Sequence, residues 1–140
     1  MSDRSVIARG EFDVKMTPEA VDAADGIPVS RLALDKQYRG ALEGTGRGVM
    51  VSATTPVKGS AGYVAIERFT GTLHGRQGSF VMQHAGMMTR GAQQLTITIV
   101  PDSGTGALTG IKGSCGITIA DGKHSYEIRY SLTDTSTGTS

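Results

Sequence analysis

The stretch 62–86, GYVAIERFTGTLHGRQGSFVMQHAG, decides the fold class. Tyr63, Ala65, Glu67, Phe69, Gly71 and Leu73 fall on one face, and Val64, Ile66, Arg68, Thr70 and Thr72 on the other. Alternation with β-branched and aromatic residues specifies a strand rather than a helix. The second arm resumes at Gly78, with Phe80, Met82 and His84 sharing a face and Ser79, Val81 and Gln83 the opposite one. Gly71, Gly75 and Gly78 sit around the join. Glycine weakens a strand unless the backbone must bend or approach another element closely. The expectation is therefore a coiled hairpin of the kind that lets a sheet close.

Gly-x-Leu-x-Gly occurs at Gly71–Gly75, again at Gly106–Gly110, and in a shorter copy at Gly40–Gly44. We read these as repeated barrel corners, each with a leucine as inward filler. Elsewhere the alternation continues. Val6–Met16 reads as a strand with one buried face. Thr17-Pro18-Glu19 reads as a helix start, carrying a cap, a proline at N1 and an acid, with a short helical turn to about Ala24. Strands follow at Ser30–Leu42 and from about Gly46 to Thr54. Thr55–Gly62 and Ala85–Gln93 read as loops. Further strands are expected at Leu95–Val100, Ala107–Ile111, Gly113–Ala120 and His124–Leu132, with turns at Pro101–Gly104 and Asp121-Gly122. Thr133–Ser140 is small and polar and is expected to fray.

The fold class is thus all-β: one domain over residues 1–140, an antiparallel closed barrel of about eight strands with minimal helix. A sandwich is the competing architecture. Twenty glycines against four prolines suit many turns and bends. A net charge of +1 gives no electrostatic case for nucleic acid or membrane. Neither a signal peptide nor an apolar run of membrane-spanning length is present, so a cytoplasmic location is expected. The single Cys115 precludes an internal disulfide; it shares parity with Ile117 and Ile119 and reads as an inert core thiol.

Parity also supplies the candidate site. Lys36 shares a face with Leu34 and Tyr38, Glu67 with Ala65 and Phe69, and His84 with Phe80 and Met82. Ionisable groups on apolar faces must be paired when buried. Inside a barrel they would form a pocket with a Lys36–Glu67 pair and His84 as donor or acid/base. The other reading is a structural network, or groups at the rim, since a slip of one residue turns every side chain over. The pocket candidates are Lys36, Tyr38, Tyr63, Glu67, Phe69, Phe80, Met82, His84 and Tyr126. No residue is assigned a catalytic role. His74, His84 and His124 have no metal-ligand spacing, so neither metal nor cofactor is expected. Gly44–Gly48 and Gly104–Gly106 complete no phosphate-binding pattern and read as corners.

Several motifs carry a resemblance. These are Tyr63-Val64-Ala65-x-Glu67, Gly71-x-Leu73-x-Gly75-Arg76-x-Gly78-Ser79-Phe80, Gln83-His84, Lys36-x-Tyr38-x-Gly40 and Pro101-x-Ser103-Gly104-Thr105-Gly106. With them the chain resembles bacterial domain-of-unknown-function (DUF) family 3224 over nearly its whole length. The resemblance implies an allene oxide cyclase-like barrel and a homo-oligomer, and no established activity. This chain departs from the family pattern at Met16-Thr17, where relatives tend to carry Trp, and at Ala41, where they tend to carry Asp. Three functions follow as expectations: a binder of a small, partly apolar molecule; an isomerase or cyclase by fold analogy, in which Glu67 and His84 would act; or a structural, oligomerising module with a filled interior.

Overall fold

The structure, a computed structural model, describes residues 5–132, so the expected fraying of Thr133–Ser140 lies outside it. Eight strands form a closed antiparallel barrel in sequential order. They are β1 (Val6–Asp22), β2 (Val29–Gly40), β3 (Leu42–Thr54), β4 (Ala61–Leu73), β5 (Arg76–Thr89), β6 (Ala92–Ile99), β7 (Ile111–Ala120) and β8 (Lys123–Leu132). β1 closes the barrel by pairing with β8, from Val6 opposite Tyr130 to Phe12 opposite His124. Among the described residues no helix is long and apolar enough to cross a membrane.

The alternation seen in the sequence selects the inward set. Leu34, Lys36 and Tyr38 point inward from β2, Ala65, Glu67 and Phe69 from β4, and Phe80, Met82 and His84 from β5, all of them buried. The central hairpin turns in two residues, His74 (φ 49°) and Gly75 (φ +80°). Two consecutive positive φ values give the turn whose twist matches that of the flanking strands. Gly71 and Gly78 therefore lie within the ladder, facing each other, rather than in a wide corner.

Four local expectations are overturned. Thr17–Ala20 is not helical: β1 runs on to Asp22, with a register shift between Pro18 and Ala20, because residues 17–22 pair with β2 up to Val29. A bulge lets the ladder step past that irregularity. Ala85–Gln93 is not a loop: β5 continues to Thr89 and turns tightly at Arg90-Gly91, both at positive φ, into β6. The expected strand over Ala107–Ile111 is a 3₁₀ turn at Gly106–Leu108, lying against β5, and β7 begins at Ile111. The residue before the turn is tied to β5, with Thr105 N–H donating to the Ser79 carbonyl at 2.8 Å. The three Gly-x-Leu-x-Gly copies are accordingly not one structural unit. Their leucines nevertheless share a fate: Leu42, Leu73 and Leu108 are each 0% exposed.

The barrel has two unlike ends. At one end lie the β2–β3 corner, the His74-Gly75 turn and the β6–β7 connection. Here Leu42, Leu73, Leu108, Ile111, Phe69 and Phe80 fill the interior. At the other end lie the remaining turns, and the interior is open. The weakest seam is β6–β7, joined among the described residues by only two register pairs, Ile97–Cys115 and Thr98–Ser114.

Candidate functional site

The filled half stops at a buried polar cluster that forms the floor of the open half. Lys36, Glu67 and His84, on β2, β4 and β5, are 5%, 0% and 3% exposed. Register brings them together: Glu67 lies opposite Gly48, Lys36 opposite Gly46, and His84 opposite Ala65. Lys36 Nζ donates to Glu67 Oε1 at 2.9 Å. His84 Nε2 meets the same oxygen at 2.9 Å. The Tyr38 hydroxyl donates to Oε2. The space for this carboxylate exists because residue 46 has no side chain. A Cβ there would stand 2.1 Å from Glu67 Oε2 and 2.8 Å from the Tyr38 ring.

The electrostatics follow from this packing. Burial alone would push the Glu67 carboxyl up. The His84 hydrogen bond, the Lys36 charge and the bonds from Tyr38 and Lys36 outweigh it and hold the carboxyl at about 2. Glu67 is therefore ionised at neutral pH and can only accept hydrogen bonds. The Nε2–H of His84 is then the donor to that carboxylate. Burial, then the Glu67 charge, raises Tyr38, which stays a donor. The Lys36 ammonium also lies 4.9 Å from the centre of the Phe12 ring, over its face. Lys36 and Glu67 thus form a buried ion pair.

Above this floor a cavity of about 420 Å³ opens to solvent. Lys36, His84 and Tyr63 line it, with Phe12, Met16, Leu34, Met50, Met88, Leu95, Ile117 and His124 around the walls. The Tyr63 ring fills the place of a side chain at Gly86, where a Cβ would come within 2.3 Å of it, and it lies 6.4 Å from His84 between ring centres. Burial and the Glu67 charge raise the Tyr63 phenol. Among the described residues no cluster of three or more His, Cys, Asp or Glu is placed to hold a metal ion.

Of the nine pocket candidates, Lys36, Tyr63 and His84 face this cavity. Tyr38 and Glu67 sit directly beneath, bonded to one another. Phe69, Phe80 and Met82 lie deeper, in the filled core. Tyr126 is elsewhere in role. Its hydroxyl donates to the Arg39 carbonyl at 2.7 Å and accepts from Leu42 N–H at 2.8 Å, tying the corner between β2 and β3. Sequence reasoning missed Phe12, Met16, Met50 and His124 as lining residues. Phe12 and Met16 shared the inward parity of the first strand, a signal that was available; His124 shares that of Tyr126. Cys115 is half-buried, and burial pushes its thiol up to about 12.

The sequence pattern of a family described as "Protein of unknown function (DUF3224)" matches residues 8–130. A crystal structure of a protein of unknown function from that family, from Shewanella oneidensis MR-1, is 48% identical to this chain. The alignment covers 93% of this chain and 99% of that one, with a TM-score of 0.88. Among curated proteins none matches.

Proposed function

The chain belongs to the DUF3224 family of proteins of unknown function, and on that footing we propose that it binds a small, largely apolar molecule at the open end of its barrel. One observation carries the reading: the same barrel is filled with side chains in one half and left with a cavity of about 420 Å³ in the other. Ligand sites are typically ~300–1,000 Å³, mostly apolar, with a few placed polar groups. Here Leu34, Met50, Leu95 and Ile117 supply apolar wall, Lys36 and His84 supply polar atoms at the floor, and Ser52, Gln93 and Gln94 also line the cavity. A structural module would have no use for the empty half, because a void forfeits contacts that its lining would otherwise make.

The test is titration with N-phenyl-1-naphthylamine, a neutral apolar dye whose emission rises in dry surroundings. We expect saturable binding at one site per barrel, weakened in Met50→Trp, whose indole would take up part of the cavity. Absence of binding, or binding that Met50→Trp leaves unaltered in a folded variant, overturns the proposal.

A further inference from the structure

We propose that the outer wall of β3 and β4 is a dimer face, against which a second copy of the chain packs across a two-fold axis. The face lies on the outside of the barrel and is independent of what the cavity binds.

Along a barrel strand, residues turn inward and outward by turns. On β1 the outward residues Arg9, Glu11, Asp13 and Lys15 are all exposed. They make the surface ion pairs of a wetted wall: Arg9 Nε donates to Glu127 Oε1 at 2.9 Å, and Arg39 Nη1 to Asp13 Oδ2 at 2.6 Å. β3 and β4 differ. Their outward positions include Val49, Val51, Val64 and Ile66, at 38%, 39%, 56% and 51% exposure. Register sets Val49 opposite Ile66 and Val51 opposite Val64, so the four make one aliphatic block. Ala33 on β2 and Ala85 on β5 continue it, opposite Val49 and Val64. Single exposed apolar residues are ordinary, whereas a contiguous block on one wall marks an interaction surface. The charged outward residues of β1, with Glu127 and Arg129 on β8, rule out the apolar belt all round that a barrel embedded in lipid needs.

The face suits its own copy. The block carries no charge, and a two-fold axis sets each surface group near its duplicate, so a self-pairing centre must be free of like-charge repulsion. Beside the block, toward the open end, runs a groove of about 450 Å³ whose walls include Val29, Val51, Val64, Ala85 and Thr96. None of the described residues lining it is charged. Val49 and Ile66 stand next to it, two residues along the strands from Val51 and Val64. A projection and a groove on one face can be used twice by a two-fold axis, each projection entering the partner's groove. Gly62, Tyr63, Gly86 and Met87 line the groove and the cavity alike, so the partner sits against the lip of the open end. The extent fits a modest dimer. With strands about 4.8 Å apart and about 3.3 Å per residue, four strands by seven residues give a footprint of about 440 Å². That is roughly half of the ~800 Å² that each partner buries in a standard interface, which points to micromolar association.

The experiment is sedimentation velocity on the full chain and on the double variant Val64→Lys with Ile66→Lys. Both positions are more than half exposed, so the lysines leave the interior alone. We expect the wild type to pass from monomer to dimer as its concentration rises through about 10–100 µM, and the variant to associate at least about tenfold more weakly. A wild type that stays monomeric at about 500 µM, a dimer that the variant retains unweakened, or an assembly larger than a dimer overturns the proposal. Should the variant not fold, a mixture of unlabelled chains with chains carrying ¹³C isoleucine methyls decides. Ile66 should show contacts between chains, and the buried Ile128 none. A dimer without such contacts at Ile66 refutes the face.

Discussion

Replacing Glu67 with glutamine tests the polar floor on which the site is built. The carboxylate takes hydrogen bonds from Lys36, His84 and Tyr38 at 0% exposure. Its carboxyl lies at about 2 against an ordinary 4.5, because those three partners outweigh the effect of burial. At 1.36 kcal/mol per tenfold, this difference is worth about 3 kcal/mol to the folded state. Glu67→Gln also leaves the Lys36 ammonium buried without its counter-charge, a loss of about 3–5 kcal/mol in comparable cases. For a chain of this size that is a fall in Tm of roughly 10 °C. The pH dependence has a definite sign. A carboxyl lowered by folding contributes fully above its unfolded value, near 4.5, and the contribution drains away as pH falls toward about 2. Urea melts at pH 7 should therefore show the full deficit of the variant. The gap between wild type and variant should close by about 3 kcal/mol between pH 5 and pH 2. The double variant Lys36→Met with Glu67→Gln should recover part of the loss at pH 7, since no unpaired charge remains. A Glu67→Gln variant within 1 kcal/mol of wild type, or a gap that does not narrow in acid, would refute the paired, ionised floor.

Three further outcomes follow from the same geometry. Gly46→Ala drives a methyl into Glu67 Oε2 and the Tyr38 ring and should cost about 3 kcal/mol in a urea melt. Gly116→Ala on β7, with nothing within 4 Å, should be neutral to slightly stabilising. Cys115, its thiol pushed up to about 12 by burial, should react with an aromatic disulfide reagent at pH 7.5 far more slowly in the native chain than in urea. Equal rates would contradict that burial.

How much of this was legible in the sequence depends on which physical signal carried each part. Alternation placed Lys36, Glu67 and His84 inward, because a large apolar residue flanked each at a spacing of two. That they meet on one oxygen was less visible. It depends on the register of three ladders, and parity fixes the face and not the height. The Asp121-Gly122 turn was plain from its residues. Arg90-Gly91 was not: arginine at φ 48° is an uncommon first turn residue, and the small and polar residues of 85–93 hide their alternation. Thr17-Pro18-Glu19 has every local sign of a helix start, and pairing to β2 overrides them. The division of the barrel into a filled and an open half was beyond reach, because it arises from closure. Leu42, Leu73 and Leu108 come from distant segments to fill one end, whereas Met50, Leu95 and Ile117 stand apart at the other.

The open half can be read directly through methionine methyl groups. The chain has six methionines; Met16, Met50, Met87 and Met88 line the cavity, and Met82 lies in the filled core at 1% exposure. With ε-¹³C methionine and saturating N-phenyl-1-naphthylamine, the cavity methyls should shift and show contacts to the ring protons, with no such contact at Met82. A ligand that contacts none of the four cavity methyls would contradict binding at the open end.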